Sequence, residues 1–247
     1  MNASGALALY HAAVFDNQSG ATYNLQNDSY IDSAYSGFHF DNAGTFTKSG
    51  GTGTSLVYPT FNNSGVVNAN SGTIAFNGGG TSSGTYNVPA TLQFNGGAFS
   101  LTSSSSVAGA GTVNFSGGTM TLGGTYNITG GTTVSGTTVT VTGTIANVGP
   151  TMTVSGGQFT LPTTQTVTTI NLSGGTLTMD AAQTLTSYTQ TGGTLAGTAA
   201  ITVTGSVSLT YGVMAGDTTG ASTVGDFIIN PGVTGTLSAG TLYVDGR

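Results

Sequence analysis

Five times between residues 95 and 197 the chain writes a glycine pair followed by a short alternation of apolar and small residues: NGGAFSL (95–101), SGGTMTL (116–122), SGGQFTL (155–161), SGGTLTM (173–179) and TGGTLAG (191–197). Self-similarity at a fixed period points to stacked near-identical units, and so changes the meaning of every other residue. The second glycine, or a lone glycine in its place, falls at Gly20, Gly44, Gly65, Gly97, Gly118, Gly157, Gly175 and Gly193. Most of these steps are similar in length, and the two long ones are from Gly65 to Gly97 and from Gly118 to Gly157. The second long step is close to two periods and encloses NITGGTTVSG (127–136), while the first encloses NSGTIAF (70–76). A period of roughly 18–25 residues remains, within the range of solenoid repeats.

Inside each period the pattern is that of a strand. In TMTL, Met120 and Leu122 project to one side and Thr119 and Thr121 to the other, as a two-residue period requires. Phe99 and Leu101, Phe159 and Leu161, and Leu177 and Met179 repeat the arrangement. A second strand follows in each period, as in GTYNV (84–88), GTYNI (124–128), TTVTVTG (137–143), AITVTG (200–205) and SVSLT (206–210). No segment shows an i, i+3, i+4 apolar stripe, and dense Thr and Gly oppose helix, so helix is expected nowhere except as an open question over positions 1–15.

Composition decides which all-β architecture is meant. Charged residues are 4% of the 247 positions, against about 25% in an average soluble protein. There is no Glu or Trp, the basic side chains are Lys48 and Arg247, and all eight acids are Asp. A sandwich or antiparallel barrel normally charges its outer face and edges, which this chain cannot do. A parallel β-helix instead stacks like residues about 4.8 Å apart, where like charges repel while Thr, Ser and Asn ladders hydrogen-bond. The expected fold is therefore all-β: a single-stranded parallel β-helix, or β-solenoid, of about 11–12 coils forming a rod on the order of 50 Å long. Residues 1–37 are read as irregular or capping coils and 38–247 as the repeats, with glycines at the corners, apolar pairs inside and hydroxyls outside.

The same composition excludes several functions. A net charge of −6 with two basic side chains removes the electrostatic footprint that nucleic acid or anionic lipid requires. No run approaches the roughly 18 apolar residues of a membrane helix, and MNASGALALYHAAVF lacks the basic lead of a signal peptide. The absence of Cys rules out disulfides and thiolate metal sites and leaves the compartment undecided.

The segments FNNSG (61–65), NSGTIAF (70–76), AGAGTVNFSGGTMTL (108–122) and NLSGGTLTM (171–179) resemble the repeats of large bacterial surface proteins of the haemagglutinin, adhesin and autotransporter-passenger type, over residues 38–245. The resemblance implies a right-handed β-helical stalk at the cell surface or outside the cell, with surface glycans or host and matrix surfaces as partners. No secretion domain, membrane barrel or wall anchor is recognisable, so the chain reads as an internal piece of a longer polypeptide.

Three constellations invite chemistry. In FHFDN, His39 and Asp41 share one strand face while Phe38 and Phe40 take the other, an arrangement suited to acid–base work or half a metal site. Only Asp16, Asp28, Asp32 and Lys48 lie near in sequence, fewer groups than polysaccharide cleavage on a β-helix requires, so the expectation is a solvated face and no enzyme. Asp28 and Asp32 offer oxygen ligands for calcium, but Asp180, Asp217, Asp226 and Asp245 lack the fixed period of a calcium-binding repeat. Isolated turn acids, with no metal or cofactor, are expected. The Thr-x-Thr motifs at Thr119–Thr121, Thr151–Thr153, Thr176–Thr178, Thr184–Thr186 and Thr202–Thr204 would form an ice-binding face if they aligned, with AFS (98–100) and QFT (158–160) as interruptions. The sequons at Asn62, Asn114 and Asn127 are read as accidents of composition. The leading functional expectation is a structural stalk or adhesive segment, with an ice-binding solenoid or a polysaccharide-active enzyme as alternatives.

Overall fold

A computed structural model describes residues 1–9, 13–33, 37–215, 226–237 and, as backbone, 242–245. The chain is a parallel β-solenoid of about 11 turns with no helix among the described residues. The opening residues are strands too: Asn2–Ala3, Leu7–Leu9 and Val14–Asn17 pair with the next coil.

Most coils lay down three strands where two were expected, and so the solenoid has three faces. Face A carries Thr22–Leu25, Thr45–Lys48, Val66–Ala69, Thr85–Asn87, Ser106–Gly109, Thr125–Ile128 and Thr144–Val148, each paired in parallel to the next. Face B runs through Thr73–Phe76, Thr91–Phe94, Thr112–Phe115 and Gly131–Val134. Face C runs through His39–Asn42, Thr60–Asn63, Gly80–Ser82, Ala98–Leu101, Thr119–Leu122 and Thr138–Val141. Farther along, Thr151–Leu161 and Thr169–Met179 run through the corner between faces B and C as single long strands.

Three faces correct the glycine series. Gly20, Gly44 and Gly65 precede strands of face A, whereas Gly97, Gly118 and Gly193 precede strands of face C, and Gly157 and Gly175 hold the same corner inside the long strands Thr151–Leu161 and Thr169–Met179. The step from Gly65 to Gly97 crosses from one corner to the other, and the step from Gly118 to Gly157 is two coils with Thr137 in the intermediate place. The corners also need glycine for different reasons. Gly118 has φ +75°, a left-handed conformation, and a Cβ there would fall on the Gly97 carbonyl of the coil below. Gly65 has no positive φ; it is glycine because the Gly44 carbonyl occupies the space of a Cβ.

The interior is filled as the alternation dictates. Met120, Leu122, Phe99, Leu101, Phe159, Leu161, Leu177 and Met179 are all buried. Phe15, Phe40 and Phe61 stack along face C with centroids 4.8 and 5.3 Å apart, and Phe94 stacks on Phe115 at 5.8 Å. The column Tyr23, Phe46, Val67, Tyr86, Val107, Tyr126 and Ile145 lines face A.

Polar ladders also run inside, contrary to the assignment of all such residues to the surface. At the end of face C, buried Asn17 donates to Asn42 Oδ1 at 2.6 Å and Asn42 to Asn63 Oδ1 at 2.8 Å. Asn63 in turn donates to Ser82 Oγ at 3.3 Å. Asn17 and Asn42 also donate to the carbonyls of Thr45 (3.0 Å) and Val66 (3.2 Å), tying the ladder to face A across the corner. Asn serves here because one side chain both accepts from the coil below and donates to the coil above. Buried Gln165 and Gln183 make a second ladder: Gln165 bonds the Ile145 carbonyl at 3.1 Å, and Gln183 bonds the Thr163 carbonyl at 3.0 Å.

Candidate functional site

His39 and Asp41 point outward from face C, as their alternation with buried Phe38 and Phe40 requires. Stacking sets their neighbours. His39 lies in register between Val14 and Thr60, and Asp41 between Asp16 and Asn62. Amides balance the two carboxylates: Asn62 donates to Asp41 at 2.8 Å and Gln18 to Asp16 at 3.1 Å, while Asn62 Oδ1 accepts from the Thr81 amide at 3.1 Å. A shallow hollow here is lined by Asp16, Asp41, Asn62, Thr81 and Ser83, with no cation among its lining residues. Such a surface can order water or neutral polar groups, but it offers nothing to neutralise charge that develops on a reacting substrate.

Lys48 belongs to a different place. It ends the face A strand Thr45–Lys48 at an inward position between Leu25 and Ala69, and it is fully buried. Its ammonium reaches the corner between faces A and B. There it donates to the Asn27 carbonyl (2.8 Å), Asp28 Oδ1 (2.8 Å) and the Gly50 carbonyl (2.9 Å), so each of its three protons is used. The lysine that a substrate would have needed is thus a staple between two coils, inward on face A where His39 is outward on face C.

Lys48 holds the Asp28 carboxyl below the usual carboxylate range by its hydrogen bond and its charge, and the Gly53 amide at 3.0 Å assists. A carboxyl whose pKa is lowered on folding contributes stability above its unfolded pKa of about 3.9 and loses it as pH falls through the lower folded value. The melting-temperature difference between the parent and Asp28→Asn should therefore be positive at about pH 6 and shrink below about pH 4. A difference that stays constant across that acid range would show that the ion pair contributes nothing.

Asp28 and Asp32 are engaged by different partners. Asp28 is engaged by Lys48, and Asp32 accepts from the Ser33 amide at 2.8 Å. No group of three or more His, Cys, Asp or Glu suited to a metal ion occurs among the described residues. Asp217 and the side chain of Asp245 lie outside the described residues.

The Thr-x-Thr motifs do not share one face. Thr119–Thr121 and Thr176–Thr178 are on face C, Thr151–Thr153 is on face B, and Thr184 and Thr202 pair on the continuation of face A. Register assembles a different set on face C: Thr119/Thr121, Thr138/Thr140, Gln158/Thr160, Thr176/Thr178 and Thr194/Ala196. The upper part of this set is recessed into a trough of about 660 Å³, in which Thr160, Thr176, Thr178 and Thr194 are half-buried. The trough begins where the face C ladder opens. Thr138–Val141 pairs along its full length with the coil below, but with the coil above it pairs only at Thr138–Gln158. Half-buried Val141 contributes apolar surface beside that opening, and Asp180 and Pro162 also line the trough.

No family model, no curated protein and no solved structure matches the chain.

Proposed function

We propose that this chain is a structural stalk or adhesive segment of a large bacterial surface protein that acts by presenting a long, sparsely charged surface and not by catalysis. The observation that carries the reading is the fate of the ionisable groups. Lys48 is consumed as a staple between coils, and Asp16 and Asp41 are paired with side-chain amides. What repeats is the coil, and in a solenoid stability is approximately a sum of coil-to-coil interfaces, so length can be added without a privileged residue. A surface rich in Thr, Ser and Asn, on a chain with 4% charged residues, suits a position outside the cell, facing glycans or matrix.

The test compares the parent with the double variant His39→Asn/Asp41→Asn on immobilised glycans, on matrix-coated surfaces and in attachment of whole cells displaying the chain. Both proteins should adhere equally, with melting temperatures within about 2 °C, since outward surface changes fall within about 0.5 kcal/mol. Release of new reducing or unsaturated ends from a polysaccharide by the parent, abolished in the double variant, would replace this reading with an enzyme.

A further inference from the structure

We propose that the trough on face C is a binding site for one segment of a neutral polysaccharide chain, lying along the solenoid axis. This rests on the adhesive part of the reading above and assigns it a place. The trough crosses five successive coils, those of Thr138, Gln158, Thr176, Thr194 and Ala215. At about 4.8 Å per coil it is roughly 20 Å long. A pyranose ring in an extended chain advances by nearly the rise of one coil, so successive sugars would meet successive coils in equivalent ways.

The lining fits the chemistry of such a chain. Thr160 and Thr178 stand in register along it, with Thr140 on the coil below, and each hydroxyl both donates and accepts, as sugar hydroxyls do. Half-buried Val141 at the opening of the ladder offers apolar surface to the C–H face of a ring, and Asp180 offers two strong acceptors at the edge. None of the described residues lining the trough is cationic, and the chain carries a net charge of −6, so a uronate-rich polymer would be repelled. Thr160, Thr176, Thr178 and Thr194 are half-buried between neighbouring coils, while Thr138 and Thr140 at the lower end of the trough are exposed. Hydroxyls held on paired strands are fixed before binding, which lowers the ordering cost of gripping a flexible chain.

Affinity electrophoresis through gels containing hydroxyethyl cellulose, a mixed-linkage β-glucan, xylan or polygalacturonate tests the site. The parent should be retarded by at least one neutral polymer and not by polygalacturonate. Thr160→Val/Thr178→Val, which keeps shape and removes hydroxyls, should weaken that retardation at least tenfold, and Asp180→Asn at the exposed rim should weaken it about threefold. Thr125→Val on face A should not change it. Circular dichroism and melting curves establish that the variants fold, and Asp180→Asn gives an independent reading should the double variant fail to do so. Retardation by no neutral polymer, retardation by polygalacturonate alone, equal retardation of parent and double variant, or parent-specific shaping of ice crystals with no glycan binding would each overturn the proposal. Whole-cell attachment that survives the trough variants would sink this site and leave the adhesive reading standing. Absence of attachment by the parent would sink that reading whatever the gels show.

Discussion

Leu177→Asp should lower the melting temperature by roughly 10–15 °C, the largest loss expected from a single interior change. Leu177 is fully buried and stacks in register between Phe159 of the coil below and Leu195 of the coil above. Aspartate there forfeits the burial of a leucine and places a carboxyl among apolar neighbours, a combined cost of about 4–5 kcal/mol. At roughly 2–4 °C per kcal/mol for a chain of this size, the shift follows. Because each coil is supported by its neighbours, the damage should be local, and hydrogen exchange should accelerate first in Thr169–Met179 and the strands paired with it. Thr176→Ser, at the adjacent position on the outer side, should cost about 1 kcal/mol or less. Equal losses for the two substitutions would mean that inside and outside are exchanged.

Asn42→Ala should be nearly as damaging, although it removes no apolar surface. Asn42 is buried, accepts from Asn17, and donates to Asn63 and to the Val66 carbonyl. Alanine strands a donor on Asn17 and acceptors on Asn63 and Val66 away from water, each at about 1–3 kcal/mol, for a total of roughly 3–4 kcal/mol. The melting temperature should fall by about 10 °C. Asn42→Ser should recover part of the loss, since Ser82 already holds the equivalent place at the end of the ladder. Asn87→Ala, an outward asparagine bonded to Asn68 at 2.8 Å, should cost under about 1 kcal/mol. If Asn42 and Asn87 behave alike, the buried ladder does not hold the corner.

The candidate site residues were only partly legible from the chain. His39 and Asp41 were correctly placed on one outward strand face, because alternation is a property of neighbouring residues. Their stacking partners Asp16 and Asn62 were not, because they come from the coils below and above, at unequal distances along the chain from Asp41. The buried Asn ladder left a trace in FDN (15–17), FDN (40–42) and FNN (61–63), where each asparagine ends a triplet opened by a core phenylalanine and so falls on the same face. Lys48 gave the same trace, ending the triplet that Phe46 opens, yet a lone charge is ordinarily assigned to the surface.

By itself, the sequence determined what depends on short range: strands with a two-residue period, which side chain of each pair points inward, corners marked by glycine, and a coil of about twenty residues. Too few charges to protect sheet edges then selected the solenoid over the barrel. The number of faces, the two distinct glycine corners, the burial of Lys48 and the trough on face C were decided only by the tertiary structure. Coils here differ in length, the one from Thr22 to Thr45 being longer than the one from Thr151 to Thr169, so a fixed spacing along the chain does not return to the same face. Which threonines share a face is settled by the register of backbone pairing between coils, a long-range interaction that leaves no mark in the local pattern of residues.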